Sequence, residues 1–299
     1  MPARFSAYPP DHAALVCIIE EGKSHRIGRS AECELRIEHP SVSRFHAEIA
    51  AIADGSGWRL HDTGSKNGLR VEGHTTLSAN FVERAWFAIG DVHCQIEPID
   101  TAAAAAFSAQ RETLRSGSRQ LSAQFATHAD IGTLIPQALD VVLQLSGLER
   151  GFVLYANEGE PLRVRAVRGI ASTDIAKASF SGSVSAMQRA LTEGMPVVCC
   201  DTADSPWLGL RPSVRLGGIR ALVCVPLQLE GKAKGAIYVD SRKPGPPITE
   251  LDLELLQNVA QQAASAIAVS QLQDELDRLL AAGGDIEELA PRWDALRPL

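Results

Sequence analysis

The sequence predicts a multidomain chain: an all-β sandwich first, then an α+β domain with flanking helices. Residues 13–99 read as short runs broken by turn residues at roughly 8–12 residue spacing, the signature of a sandwich. The composition then shifts abruptly at the five alanines 102–106. Beyond about residue 120, segments of helical and strand period alternate.

Within the first region, residues 14–20, 34–37, 47–52, 58–61 and 93–96 have strand character. Between them lie Glu21-Gly22, Asp54-Gly55, Lys66-Asn67-Gly68, Glu72-Gly73 and Gly90-Asp91, all turn formers. Residues 1–12, ending in Pro9-Pro10-Asp11, are expected to be a flexible arm, and 13–99 the first domain. Alanine is the best helix former, so residues 100–119 are expected to be a helical linker. Phe107, Leu114 and Leu121 recur along it every seven residues, and Gly117 is its weak point.

The second domain is expected over 120–270. Thr133 is a candidate cap for a helix reaching Leu145. Residues 151–156 and 162–169 have strand character. Val184, Met187 and Leu191 share a helical face that Gly194 and Pro196 close. Residues 196–200, 221–229 and 233–240 are further strands, the last two a hairpin around Glu230-Gly231. Thr249 is a good N-cap for a long helix. Its apolar stripe continues as Val269, Leu272, Leu276 and Leu279, a short coiled-coil seam. Gly283-Gly284 should end it, so 271–299 is expected to hold the end of a C-terminal helix and a small acidic tail.

Composition narrows the function classes. Hydrophobic residues make up 45% and charged ones 22%, as in globular protein, so a sizeable core is available. The longest apolar run, residues 13–19, falls far short of the roughly 20 residues that span a membrane, and no secretory leader precedes it. A cytoplasmic protein without a membrane partner is expected. The six cysteines, at 17, 33, 94, 199, 200 and 224, form no CxxC pair, which suits reduced thiols. A net charge of −7 argues against nucleic acid as a partner. Residues 1–100 hold ten Lys and Arg against fourteen Asp and Glu, so an anion site there must be built from a few placed cations. Seven of the eight histidines lie in this region, but their spacing matches no compact metal motif, and no metal or cofactor is expected.

Three motifs stand between the strands of the first region: His25-Arg26-Ile27-Gly28-Arg29 closing one turn, Ser41-Val42-Ser43-Arg44-Phe45-His46, and Asp62-Thr63-Gly64-Ser65-Lys66-Asn67-Gly68. Loops on a rigid sandwich are where binding residues collect. A planar guanidinium from Arg29, a hydroxyl from Ser43 and cations from Arg44 and Lys66 suit a phosphate oxyanion. Asn67, with an amide donor and acceptor, suits a peptide backbone. Each of these residues taken alone has a plainer reading as solvated charge or turn former.

Gly-Arg, Ser-x-x-His and Asn-Gly in this order resemble the forkhead-associated (FHA) domain. The resemblance implies phosphothreonine-peptide binding through Arg29, Ser43, Arg44, Lys66 and Asn67. It makes Gly28, His46 and Gly68 loop-bracing residues. Lys66 departs from the commonest family pattern, which has Thr there.

Residues 120–270 resemble a GAF domain. The match rests on Gly147-Leu148-Glu149-Arg150-Gly151, on Ala190-Leu191-Thr192-Glu193-Gly194, on the run from Gly218 to Leu227, and on Lys234-Gly235-Ala236-Ile237-Tyr238-Val239-Asp240-Ser241. The resemblance implies a module that dimerises or cups a small molecule. The chain lacks the Asn-Lys-Phe-Asp-Glu type of cyclic-nucleotide signature and an obvious chromophore-attachment Cys. Some GAF proteins reduce methionine sulfoxide, and Cys199, Cys200 and Cys224 are the candidates for such an activity. No basic residue flanks Cys199-Cys200 to lower its pKa, so buried thiols are the expectation.

FHA–GAF order is that of bacterial signalling proteins. The expected function is an adaptor or regulator, not an enzyme, that docks on a phosphothreonine-containing protein or Ser/Thr kinase and forms a homodimer. The alternative is a GAF-based small-molecule sensor whose FHA domain only localises it.

Overall fold

The computed structural model describes residues 1–10, 12–125, 131–156, 161–170, 181–203, 205, 208, 214 and 217–281. It does not describe the side chains of 117–125, 131, 181–184, 274, 275 and 279–281. The readings at Leu121, Val184, Leu279, Gly283-Gly284 and the acidic tail lie outside this set.

The N-terminal third is a two-sheet sandwich. One sheet has the order β2-β1-β11-β10-β7-β8 and the other β4-β3-β5-β6-β9. The first sheet is formed by β1 (Ala3–Tyr8), β2 (Leu15–Ile19), β7 (Leu69–Val71), β8 (His74–Thr76), β10 (Ala85–Ile89) and β11 (Val92–Pro98). The second is formed by β3 (Ser24–Gly28), β4 (Leu35–Arg36), β5 (Ala47–Ala51), β6 (Trp58–Asp62) and β9 (Ser78–Phe81). Phe5, Ile19, Ile89 and Ile96 of the first sheet share one core with Ile27, Ile49, Trp58 and Leu60 of the second. Glu72 and Gly73 both have positive φ, 51° and 82°, as the tight β7–β8 hairpin requires.

Two expectations are corrected here. Residues 1–12 are not an arm: β1 lies inside its sheet, with Phe5 paired to Cys17 on one side and Ile96 on the other. Ala3, Phe5 and Ala7 alternate inward and are fully buried. Alanine is a weak strand former, which hid the alternation, and Pro9-Pro10 marks only the turn into β2. Residues 25–28 are likewise strand, not turn, so that Arg29 is the first residue of its loop.

Helix α1 (Thr101–Phe125) leads to α2 (Ile131–Ser146). The latter already includes Thr133, which is therefore in its first turn and not its cap; the buried face of Leu134, Ala138 and Leu139 prevails over the local cap signal. The second sheet system has the order β13-β12-β16-β15-β14 and is antiparallel throughout. Its strands are β12 (Arg150–Tyr155), β13 (Arg163–Arg168), β14 (Val197–Cys199), β15 (Ala221–Leu229) and β16 (Lys232–Ser241). Helix α3 (Ser181–Glu193) covers one face, and α2 with α4 (Glu250–Ala281) covers the other.

Period-2 alternation assigns the side chains. Val223, Val225 and Leu227 point to α2 and α4, while Leu222 and Cys224 point to the α3 side. Burial on both faces explains why β15 reads as one apolar run. Thr249 caps α4: its Oγ1 accepts the Asp252 N–H at 3.2 Å while its own N–H donates to Asp252 Oδ2 at 2.9 Å.

Because β1 is internal, deleting residues 1–12 should unfold the sandwich, and Phe5→Ala should cost about 3–5 kcal/mol. Urea melts of both variants check this; a stable, cooperatively folded truncation would contradict the placement of β1.

Candidate functional site

Hydrogen bonds gather the three motif loops into one surface. Arg29 N–H donates to Ser43 O at 2.9 Å, and Ser30 N–H to Arg44 O at 3.0 Å. Lys66 N–H donates to Ser43 Oγ at 3.0 Å, and Asn67 Nδ2 to Ser41 O at 2.7 Å. Close approach is built into Gly28: a Cβ there would stand 2.2 Å from Arg44 O, inside any van der Waals contact.

His46 is the internal support. It is fully buried, its Nδ1 accepts the Ser43 N–H at 3.1 Å, and its Nε2 donates to Gly68 O at 3.1 Å. Those two bonds fix the neutral tautomer with the proton on Nε2. Burial lowers its pKa, against the opposing pull of the Gly68 carbonyl and Asp62. Gly68 has φ +74° and completes the turn by donating its N–H to Ser65 Oγ at 2.9 Å.

The outward-facing groups differ in kind. Ser43 Oγ already accepts the Lys66 N–H, so its own proton is available to a ligand. Arg29, Arg44, Lys66 and Asn67 are exposed. Ion pairs elsewhere in the sandwich engage Arg4, Arg26, Arg36 and Arg70. Among the described residues none engages Arg29, Arg44 or Lys66. The arrangement can donate several charged hydrogen bonds to one anion while holding an adjacent backbone through Asn67.

Sequence reasoning quoted Asp62, Ser65 and Ser41 without assigning them roles. Asp62 Oδ1 accepts the N–H groups of Gly64 and Ser65, each at 2.8 Å, and Oδ2 accepts the Ser65 hydroxyl at 2.6 Å. Burial works to raise this carboxyl, but those hydrogen bonds outweigh it and hold the pKa below the usual range. An Asp followed by Thr-Gly-Ser is an Asx-turn signal that could have been read. Ser41 Oγ accepts the Asp91 N–H at 2.8 Å, which ties the loop to the β10–β11 turn. Nothing in the local sequence pattern marks that long-range contact.

The chain matches the FHA domain family over residues 25–92 and the GAF domain family over residues 130–267. The chain carries an FHA domain followed by a GAF domain.

Solved structures similar to its two halves include the FHA-1 domain of Rv1747 from Mycobacterium tuberculosis, at 21% identity, covering 32% of this chain and 97% of that one with a TM-score of 0.28. The FHA domain of CT664 from Chlamydia trachomatis is 24% identical, covering 32% and 99% with a TM-score of 0.28. The GAF domain region of a Geobacter sulfurreducens PCA protein is 21% identical, covering 47% and 94% with a TM-score of 0.38. No curated protein matches the chain.

In the GAF domain, Cys199 is buried on the α3 side of the sheet and Cys200 packs on the opposite core. Burial raises the pKa of Cys200 and pushes that of Cys224 up to about 12, which disfavours the thiolate a nucleophile needs. Among the described residues no cluster of three His, Cys, Asp or Glu is placed to hold a metal ion, and no helix is long and apolar enough to cross a membrane.

The His46 pKa gives the FHA domain a signed pH dependence. Its folded pKa lies below the ordinary 6.5, so the unfolded chain takes up the proton first as pH falls. The His46 contribution is complete above about pH 6.5 and is lost as pH drops from there towards the folded value. His46→Ala should cost about 1–3 kcal/mol for each buried partner left unpaired. Urea melts between about pH 7.5 and 5.5 check both points; an equal pH slope for the unmutated protein and His46→Gln would refute the assignment.

Proposed function

We propose that this chain is a phosphothreonine-dependent protein-binding adaptor or regulator in Ser/Thr kinase signalling, with the GAF domain serving dimerisation or small-molecule sensing. The carrying observation is the grouping around Ser43 of Arg29, Arg44 and Lys66, which among the described residues have no carboxylate partner; Ser43 Oγ accepts the Lys66 N–H and keeps its own proton to donate. Lys23, Arg59 and Arg84 also have no ion pair among the described residues, so it is the clustering of three such cations on adjoining loops of an FHA domain that supports an anionic ligand. A phosphate supplies nearly two charges and three acceptors. Asn67, exposed and donating from Nδ2 to Ser41 O, keeps its carbonyl oxygen for the peptide backbone in this reading, and Gly28, His46 and Gly68 keep the loops in register.

Arg29→Ala should lose about 1.5–3 kcal/mol of phosphopeptide binding, or about 10- to 150-fold in affinity. Arg29→Lys should rescue only in part, because an ammonium lacks the planar fork. Ser43→Ala should cost less, since it removes a neutral donor at an open surface. Fluorescence anisotropy with a phosphothreonine peptide chosen from an oriented library, against its unphosphorylated and phosphoserine forms, measures these effects. A folded Arg29→Ala protein that binds with unchanged affinity would move the phosphate site elsewhere.

The dimer half of the proposal rests on α4. Val269, Leu272 and Leu276 recur at 3-4 spacing and are 55%, 65% and 49% exposed. That is an apolar seam at coiled-coil positions on the end of a helix whose first turns are core. A homodimer through this seam buries it. Light scattering should give a dimeric mass for the full chain at micromolar concentration and a monomeric one for Leu272→Lys combined with Leu276→Lys; a monomeric unmutated chain would end this part of the reading.

A further inference from the structure

Strand β2 is an edge of its sheet, and its entry residue is hydrogen-bonded to the other domain. Ala14, 3% exposed, donates its N–H to Ile248 O at 2.7 Å and accepts the Glu250 N–H at 3.0 Å. The two bonds form a one-residue parallel bridge between Ala14 and Thr249. Thr249 is the cap of α4, and Glu250 N–H is one of the first-turn donors that a helix cannot satisfy internally. The FHA domain therefore completes the start of a GAF-domain helix.

Helix α1 closes the same seam. Arg111 donates from Nη1 to Val16 O of β2, and its guanidinium lies 5.6 Å over the Phe107 ring. About one turn further on, Arg115 pairs with Glu254 of α4 at 3.3 Å. Cys17, half-buried, lines a cleft between β2 and α1 together with Arg111 and Arg115, and burial pushes its thiol up to about 12, with Arg111 opposing and Glu250 adding. Burial raises the pKa of Glu250, with Arg111 opposing it and smaller contributions of opposite sign from Glu38 and Arg36, themselves paired at 2.6 Å.

We propose that Arg111 and the Ala14 backbone form a latch that holds the FHA sandwich on the first turn of α4, so that the two domains move as one body. The latch sits at one end of a 32-residue helix whose other end carries the exposed Val269–Leu272–Leu276 seam. At 1.5 Å per residue that helix is about 48 Å long, so a rotation of the sandwich at the latch is delivered to a distant surface.

Hydrogen exchange on the full chain tests this. The amides of Ala14 and Glu250 should be protected, and Arg111→Ala should speed both by about tenfold or more while leaving the β15–β16 hairpin unchanged, as local opening does. Unchanged exchange at Ala14 and Glu250 in folded Arg111→Ala overturns the proposal. Should that variant not fold, spin labels at the exposed Ser56 and Lys232 of an otherwise unmutated chain decide: one narrow distance distribution supports the latch, and a broad one overturns it.

Discussion

A neutral imidazole with no exposed surface joins two loops that the chain separates by twenty-two residues. His46 accepts from Ser43 and donates to Gly68, so the loop holding the serine hydroxyl and the loop holding Lys66 and Asn67 share one support. Aspartate cannot replace it, because a carboxylate only accepts, and lysine cannot, because an ammonium only donates. A residue with one donor and one acceptor on a rigid ring is required. Burial suits this role by keeping the ring neutral. Asp62 extends the support by gathering Gly64 and Ser65 at the base of the third loop.

The cations above this frame contribute little to it. Arg29 reaches only the Val42 carbonyl, at 3.3 Å, and the other two keep their charged ends in water. Arg26, by contrast, is tied to Glu34 through several bonds, and that pairing draws the Glu34 carboxyl down to about 2. The sequence places both arginines in one short motif, and only the structure separates the one paired with a carboxylate from the one that, among the described residues, has none.

The site was more legible in the sequence than its surroundings. Loop residues declare themselves through side-chain chemistry; a Cβ at Gly28 would meet Arg44 O at 2.2 Å, His46 supplies one donor and one acceptor, and Gly68 holds a positive φ. Strands β15 and β16 were equally plain, since burial on two faces leaves an unbroken apolar run. Strand β1 was not, because its inward residues are Ala3, Phe5 and Ala7, and two of the three carry almost no strand signal. Thr133 misled in the other direction: a good cap residue sits inside a helix whose buried face prevails. The contact of Ser41 Oγ with the Asp91 N–H and the backbone bridge of Ala14 to Thr249 span long separations, which leave no trace in local pattern.

The Ala14 contact also answers a structural need of the sandwich. Each sheet has two edges, and unpaired edges invite pairing with other chains. On one side the edge strands are β8 and β9, three and four residues long, too short to template much. On the other side β2 is a five-residue run of Leu15, Val16, Cys17, Ile18 and Ile19, the kind of edge that aggregates when exposed. The Arg111 bond to Val16 and the bridge at Ala14 engage it at two points, while Leu15, Val16, Cys17 and Ile18 stay half-buried. Docking of the two domains thus shields this edge in part. A sandwich that swung away from α4 would expose both an apolar strand and an unsatisfied helix start, and the joint cost of the two favours the closed arrangement.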